Sequence, residues 1–409
     1  MSINAFDNPR GCPRWQLSSH SAVFLHTATM VAFLAASSVP TPLYRLYQAQ
    51  WGFSTTLLTV VFAAYAMALL LALLVVGRLS DYLGRRPVIA LALSLQIIAM
   101  MLFLCAAGPA WLIGARALQG FATGIATAAV GAAILDLGRE RGTVINSVSP
   151  LIGMAAGALG STSLLMLAPA PLQLVYALLL MIFIVMLILV RWVPETAIPR
   201  PGGWASLAPR IAVPVQARKA LLSVTPANMA VWMLGGFYLS LMPSLILNAT
   251  RVSTPWLGGL VVAALTLTGA TAVLVARKWT AFTTLLSGAL ALITGLVIIL
   301  VGANLSAVVL LLMGSIMAGF GFGASFLGAL KSVLPLAEPH ERAALMGVFY
   351  IESYLAHSVP TMAVGYLAQR AGLLVAVNVY GAVIVALALV AVILLLIQTR
   401  ISMNKGALA

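Results

Sequence analysis

The charges of this chain fall in short clusters, and between the clusters lie uncharged apolar runs about as long as a bilayer is thick. Residues 55–76 contain no charged side chain, and neither do residues 88–115. A helix needs about 20 predominantly apolar residues to cross the hydrocarbon layer, and inside lipid only helices and closed barrels satisfy their own backbone. The short alternating segments of a barrel are absent. The chain is 62% hydrophobic and 7% charged, whereas a soluble domain carries about a quarter charged residues. The expected fold class is an all-α membrane protein whose main solvent is lipid.

About twelve such runs follow one another, near 21–44, 55–76, 88–107, 110–135, 143–167, 172–192, 221–247, 256–276, 281–301, 306–330, 343–368 and 374–397. Between the sixth and seventh lies the longest polar interruption, 193–220, with Pro194, Pro199, Pro201, Pro209 and Pro214. Proline removes a backbone donor and breaks helices, so this stretch reads as a connection. Six spans, a connection and six spans form a weak internal repeat and predict two parallel six-helix bundles, 1–192 and 221–409, joined by 193–220. Charged turns recur at matching places, Arg139-Glu140-Arg141 before the fifth span and His340-Glu341-Arg342 before the eleventh.

Of the 22 Lys and Arg, 18 fall in the tails or the even-numbered turns; Arg45, Arg251 and Arg370 lie in odd-numbered turns, and Arg116 just inside a span. By the positive-inside rule both termini belong in the cytoplasm. The net charge of +14 is therefore a topology signal, and no basic stripe with interleaved aromatics suggests nucleic acid. Cys12 and Cys105 do not suit a disulfide, and no metal-ligand spacing occurs. The first run follows a polar tail without a cleavage site and reads as a retained span.

Four short motifs stand at telling places. Gly77-Arg78-Leu79-Ser80-Asp81-Tyr82-Leu83-Gly84-Arg85-Arg86-Pro87 joins the second and third spans, and Arg116-Ala117-Leu118-Gln119-Gly120 opens the fourth. Gly153, Gly157, Ala158 and Gly160 lie in the fifth, and Val193-Pro194-Glu195-Thr196 closes the sixth. Together they resemble the signature elements of the major facilitator superfamily of transporters. Departures are Tyr82 where Arg or Lys is usual, Ala158 where proline stands, and Ser161 and Thr162 in place of glycines; the loop's counterpart in the second half shrinks to Arg277-Lys278-Trp279. The resemblance implies a twelve-helix monomer of a bacterial inner membrane, working without a cofactor. It also implies a central cavity lined by the first, fourth, seventh and tenth helices, and the partial glycine motif points to export.

The eleventh span starts at the cytoplasmic side, where its N-terminus presents partial positive charge. Asp81 is placed to answer that dipole, or to pair with Arg141, as a cytoplasmic latch. Arg85 and Arg86 also suit topology anchors, and Gly77 and Gly84 allow close backbone approach. Polar groups inside spans are costly and hence functional candidates. Arg116 shares a helical face with Gln119, Thr123 and Thr127; it can attract an anionic group, pair with a carboxylate, or anchor neighbouring carbonyls. Glu352 is the one acidic residue well inside a span. It can carry protons, bind a cationic solute, or simply hydrogen-bond between helices, and it points away from the face of Tyr350, Tyr354 and His357. His26 can relay protons or pack. Trp232, Phe237 and Tyr238 in the seventh span, with Phe322 in the tenth, imply an aromatic lining suited to amphipathic solutes.

No nucleophile–base pair or phosphate-cradling loop points to an enzyme or an ATP-driven pump. The expected function is secondary transport of a small organic solute by alternating access, as proton-coupled efflux of drug-like compounds. Proton-coupled uptake of a metabolite and a non-transporting sensor are the alternatives.

Overall fold

The computed structural model describes residues 16–209, 211–250, 255–338 and 340–406; Cys12 and Arg251 lie outside them. The described residues form helices, turns and irregular segments, with no strand among them. The first six spans are α1 (Ser19–Trp51), α2 (Thr55–Val75), α3 (Arg85–Leu104), α4 (Pro109–Leu137), α5 (Arg139–Leu167) and α6 (Pro171–Trp192). The second six are α7 (Val215–Ser240), α8 (Pro255–Ala276), α9 (Ala281–Asn304), α10 (Val308–Val333), α11 (Arg342–Ala371) and α12 (Leu373–Gly406).

Eleven of these are long and apolar enough to cross a membrane. The exception is α11, which at 30 residues has the length but is diluted by Glu352, Ser353, Tyr354, His357, Ser358 and Thr361. A span that sacrifices apolar character is where function is expected to concentrate. At the other extreme, α6 and α12 turn Met181, Ile182, Val185, Val383, Leu389 and Ile393 outward, the lipid-facing dress of peripheral helices.

Within the first half, α1 packs on α4 and α5, α2 on α4, and α3 on α4 and α6. Within the second, α7 packs on α10, α11 and α12, while α9 packs on α10 and α12. The halves meet along α2 against α11 and α5 against α8.

Two helices differ in shape from the uninterrupted runs read in the sequence. The first is broken at Val39 into Ser19–Ser38 and Pro40–Trp51, and α7 is followed after Leu241 by a short helix, Met242–Thr250. Both breaks carry prolines just beyond them, Pro40 and Pro42 in one case and Pro243 in the other, which cannot donate to the preceding turn. The start of α7 also falls earlier than the apolar pattern suggested. Pro214 precedes the first helical turn, a place where its missing donor costs nothing.

Candidate functional site

Each proline strips a hydrogen-bond donor from the carbonyl four residues earlier, and a buried carbonyl must find another. Pro40 deprives the Ala36 carbonyl, and Gln119 Nε2 donates to it at 2.9 Å. One turn along α4, Arg116 Nη1 donates to the Ser37 carbonyl at 3.0 Å and to Gln119 Oε1 at 2.7 Å. From α5, Ser161 Oγ donates to the Val39 carbonyl at 2.8 Å. Pro243 deprives the Leu239 carbonyl, and here the donor comes from the opposite half: Thr41 Oγ1, at 2.9 Å.

Arg116 is 1% exposed and is the largest fully buried side chain among the described residues. Its guanidinium carbon lies 4.3 Å from the centroid of the Tyr65 ring, a cation–π contact that partly replaces water. Gly120 permits this approach, because a Cβ there would collide with the Tyr65 backbone carbonyl. Among the described residues no carboxylate is within ion-pair distance of Arg116, and its Nε has no hydrogen-bond partner. So the carbonyl-anchoring role is realised through Nη1, and carboxylate pairing is not.

Aromatic rings gather where α2, α7, α10 and α11 meet. Trp232 lies 4.7 Å from Tyr354, 5.6 Å from His357 and 6.0 Å from Phe326 between centroids, and Phe62 reaches across from α2 to His357 at 5.0 Å. Phe322 and His357 both stand over Gly235. His357 Nδ1 is 2.9 Å from the Trp232 carbonyl; a carbonyl only accepts, so Nδ1 carries the hydrogen and a neutral ring presents Nε2 as an acceptor. Trp232, Phe322, Tyr354 and His357 are thus brought together. Tyr238 stands apart, its hydroxyl 2.7 Å from Ser315 Oγ.

Glu352 faces α7, away from the ring cluster. Its Oε2 is 3.0 Å from Thr225 Oγ1, and Asn228 Nδ2 donates to Oε1 at 3.1 Å and to Ser353 Oγ at 3.0 Å. The Thr225 hydroxyl also lies 3.0 Å from the Leu221 carbonyl, and it has a single hydrogen. It can donate to an ionised carboxylate, or turn to Leu221 and accept from a protonated one. The same atoms therefore accommodate both protonation states with only a hydroxyl rotation.

The end that carries the termini is held by charge. Arg85 pairs with Asp81 at 2.5 Å and Asp136 at 3.0 Å, and also donates to Ser80 Oγ at 2.8 Å. Glu195 accepts from the backbone N–H groups of Arg85 at 2.7 Å and Arg86 at 3.0 Å, capping α3 with a carboxylate. Gly84 is required there twice over: its φ is +97°, and a Cβ would lie 2.8 Å from Glu195 Oε2. Arg86 donates to the Arg191 carbonyl. Gly77 brings its backbone against the Leu73 carbonyl. Among the described residues Asp81 has neither Arg141, which is exposed, nor the start of α11 as a partner. His26 lies buried near this end, within electrostatic reach of Glu195 and away from the ring cluster.

Thr225, Tyr65 and Asp136 were not singled out from the sequence. Prolines inside long apolar runs carry a usable signal, since each announces a carbonyl needing a polar partner. Nothing comparable flags Tyr65, which works through its ring face.

A profile of the Major Facilitator Superfamily matches residues 25–361. Among solved structures, the nucleoside transporter NupG superposes with a TM-score of 0.71 at 14% identity, covering 91% of this chain and 99% of that one. The human organic anion transporter MFSD10 (TETRAN) superposes with a TM-score of 0.66 at 18% identity, covering 92% of this chain and 100% of that one. No curated protein matches in sequence.

Proposed function

Because the chain belongs to the major facilitator superfamily, we propose that it is a proton-coupled secondary transporter that exports small amphipathic organic solutes by alternating access. The observation that carries the coupling is the Glu352 site: one carboxyl, half-buried in the most polar span, held by Thr225 and Asn228 across the α7–α11 contact. Binding energy from a proton there is delivered to the packing of two helices, both of which also meet the opposite half. The aromatic cluster of Trp232, Phe322, Tyr354 and His357 supplies apolar surface with few hydrogen-bonding groups, which suits amphipathic solutes.

Alternating access needs two closures. At the end remote from the termini, Thr41 reaches the Leu239 carbonyl and Thr56 Oγ1 donates to Gln369 Oε1 at 2.5 Å, both across the halves. At the terminal end, which the charge bias assigns to the cytoplasm, Asp81 stays within its own half. On this reading two contacts tie the outer end together, around the cavity beside Arg45, while the inner latch is undone. When the outer end opens, Asp81 is positioned to exchange Arg85 for the N-terminus of α11.

Export draws on Gly153 and Gly157, which bring α5 against the backbone of α1. Uptake is the second reading, favoured by the cavity at the remote end lined by Arg45, Gln48, Thr55 and Ser244. Inverted membrane vesicles with an acidic interior separate them. Export predicts that an organic solute from a test panel collapses the pH gradient on addition; uptake predicts that it instead alkalinises the medium around intact cells.

A further inference from the structure

The eight acidic residues are Asp7, Asp81, Asp136, Glu140, Glu195, Glu338, Glu341 and Glu352. None lies in the turns remote from the termini, where the sequence places Arg45, Arg251 and Arg370. A mouth carrying cations and no carboxylate attracts anions and repels cations. At that end a cavity of about 280 Å³ opens between the halves, with Arg45 as the one charged group lining it among the described residues. The neighbouring residue on α1, Tyr44, turns inward instead. It is 1% exposed, its hydroxyl has no hydrogen-bond partner, and it lies within electrostatic reach of Arg116.

Arg116 completes the series. A guanidinium buried without a counter-charge is expensive. Its Nη1 is spent on the Ser37 carbonyl and Gln119, while Nε is unpartnered. Among the described residues, Arg116 Nε–H and the Tyr44 hydroxyl are two of several buried donors with no acceptor, and these two lie within electrostatic reach of each other. Arginine with a second donor is the arrangement that recognises a carboxylate or similar oxyanion. His357 of the ring cluster is also within electrostatic reach of Arg116, so an apolar body attached to the anion has aromatic surface to rest on.

We infer that the transported solute is an organic anion, whose charged group is held by Arg116 with Tyr44 and leaves past Arg45 at the remote end. The inference rests on the transporter reading for the word transported, but the anion site is testable by binding alone.

The full chain in lipid nanodiscs is titrated calorimetrically with 2-naphthoate and with its neutral isostere 2-naphthamide, in gluconate and in chloride buffers. The expected result is naphthoate binding about 10-fold or more tighter than the amide, as one charge-assisted contact provides. Arg116→Gln should erase that preference, and Arg116→Lys, which keeps the charge, should retain part of it in a folded protein. Equal affinity for the two probes, or a preference unchanged in Arg116→Gln, overturns the inference. So does chloride competing fully while naphthoate binds no tighter than chloride, which would mark an inorganic anion site. Flux measured separately keeps the two readings distinct: Arg116-dependent naphthoate binding without flux sinks the transporter reading and spares the anion site. Flux of neutral solutes without anion preference does the reverse.

Discussion

The two six-helix halves solve the same structural problem with different chemistry. Each has a first helix interrupted by proline near the remote end, and each presents its fourth helix to that region. In the first half the helper is charged: Arg116 and Gln119 fasten the freed carbonyls of α1. In the second half it is neutral and borrowed: Thr41 of the opposite half donates to the freed Leu239 carbonyl, while Ser315 of α10 meets the Tyr238 hydroxyl of α7 at 2.7 Å. The terminal ends differ in the same sense. The first half carries a lattice of Asp81, Arg85, Asp136 and Glu195. The second sets one cation, Lys331, on the carbonyls of Ala276, Arg277 and Trp279, at 2.8–3.0 Å. In exchange, the second half keeps Glu352 and His357 in α11. The first half sets its charges in a lattice at the terminal end and on the freed carbonyls of α1, and the second keeps its one intramembrane carboxyl inside α11.

That division is broken most severely at a glycine. Gly120→Val should part α4 from α2, because the added carbons meet the Tyr65 backbone. Overpacking of this kind costs about 3 kcal/mol, and the yield of monodisperse protein should fall sharply on size-exclusion chromatography. Full recovery of wild-type yield would mean that the α2–α4 contact is looser than described.

Next in size is a matched pair. Arg116→Met leaves the Ser37 carbonyl and the Gln119 amide oxygen short of a donor and should cost about 2 kcal/mol, whereas Ser315→Ala should cost about 1 kcal/mol. Thermal unfolding in one detergent ranks them, and equal losses would erase the distinction between a charged and a neutral fastening. Smaller still is Thr41→Val, which takes the cross-half donor from Leu239. Loss of about 1 kcal/mol shifts the balance toward the outside-open form by roughly five-fold. Faster thiol labelling of a cysteine placed at Ser244 reads that shift, and an unchanged rate would remove Thr41 from the closure. The smallest effect on binding belongs to Asp81→Asn, which should slow turnover several-fold with little change in half-saturation; a large affinity change argues against a latch.

Much of this was legible in the sequence, for a physical reason. Lipid forces every span to announce itself in hydropathy, so twelve helices could be counted from residue type, and even the polar α11 was visible from its length between charged turns. The breaks at Val39 and Leu241 were not read, because hydropathy averages over a window and is blind to one missing donor. Site residues split along the same line. Arg116, Gln119 and Glu352 stood out as costly groups in apolar surroundings, and helical angles set Glu352 apart from the face of Tyr354 and His357, although all three meet α7. Thr225 and Asn228 became visible as the partners of Glu352 only once α7 lay against α11, since no local pattern encodes which helix a carboxyl faces. The Arg85–Asp136 pair spans 51 residues of sequence, and the loop motif names only one of its members.

The central claim is that Glu352 couples solute movement to protons. Proteoliposomes holding wild type or Glu352→Gln, given an imposed pH gradient and a transported solute, test it directly. Wild type should concentrate the solute above equilibrium, while Glu352→Gln should still exchange labelled for unlabelled solute yet only equilibrate it. Continued accumulation against the gradient by Glu352→Gln would contradict the account.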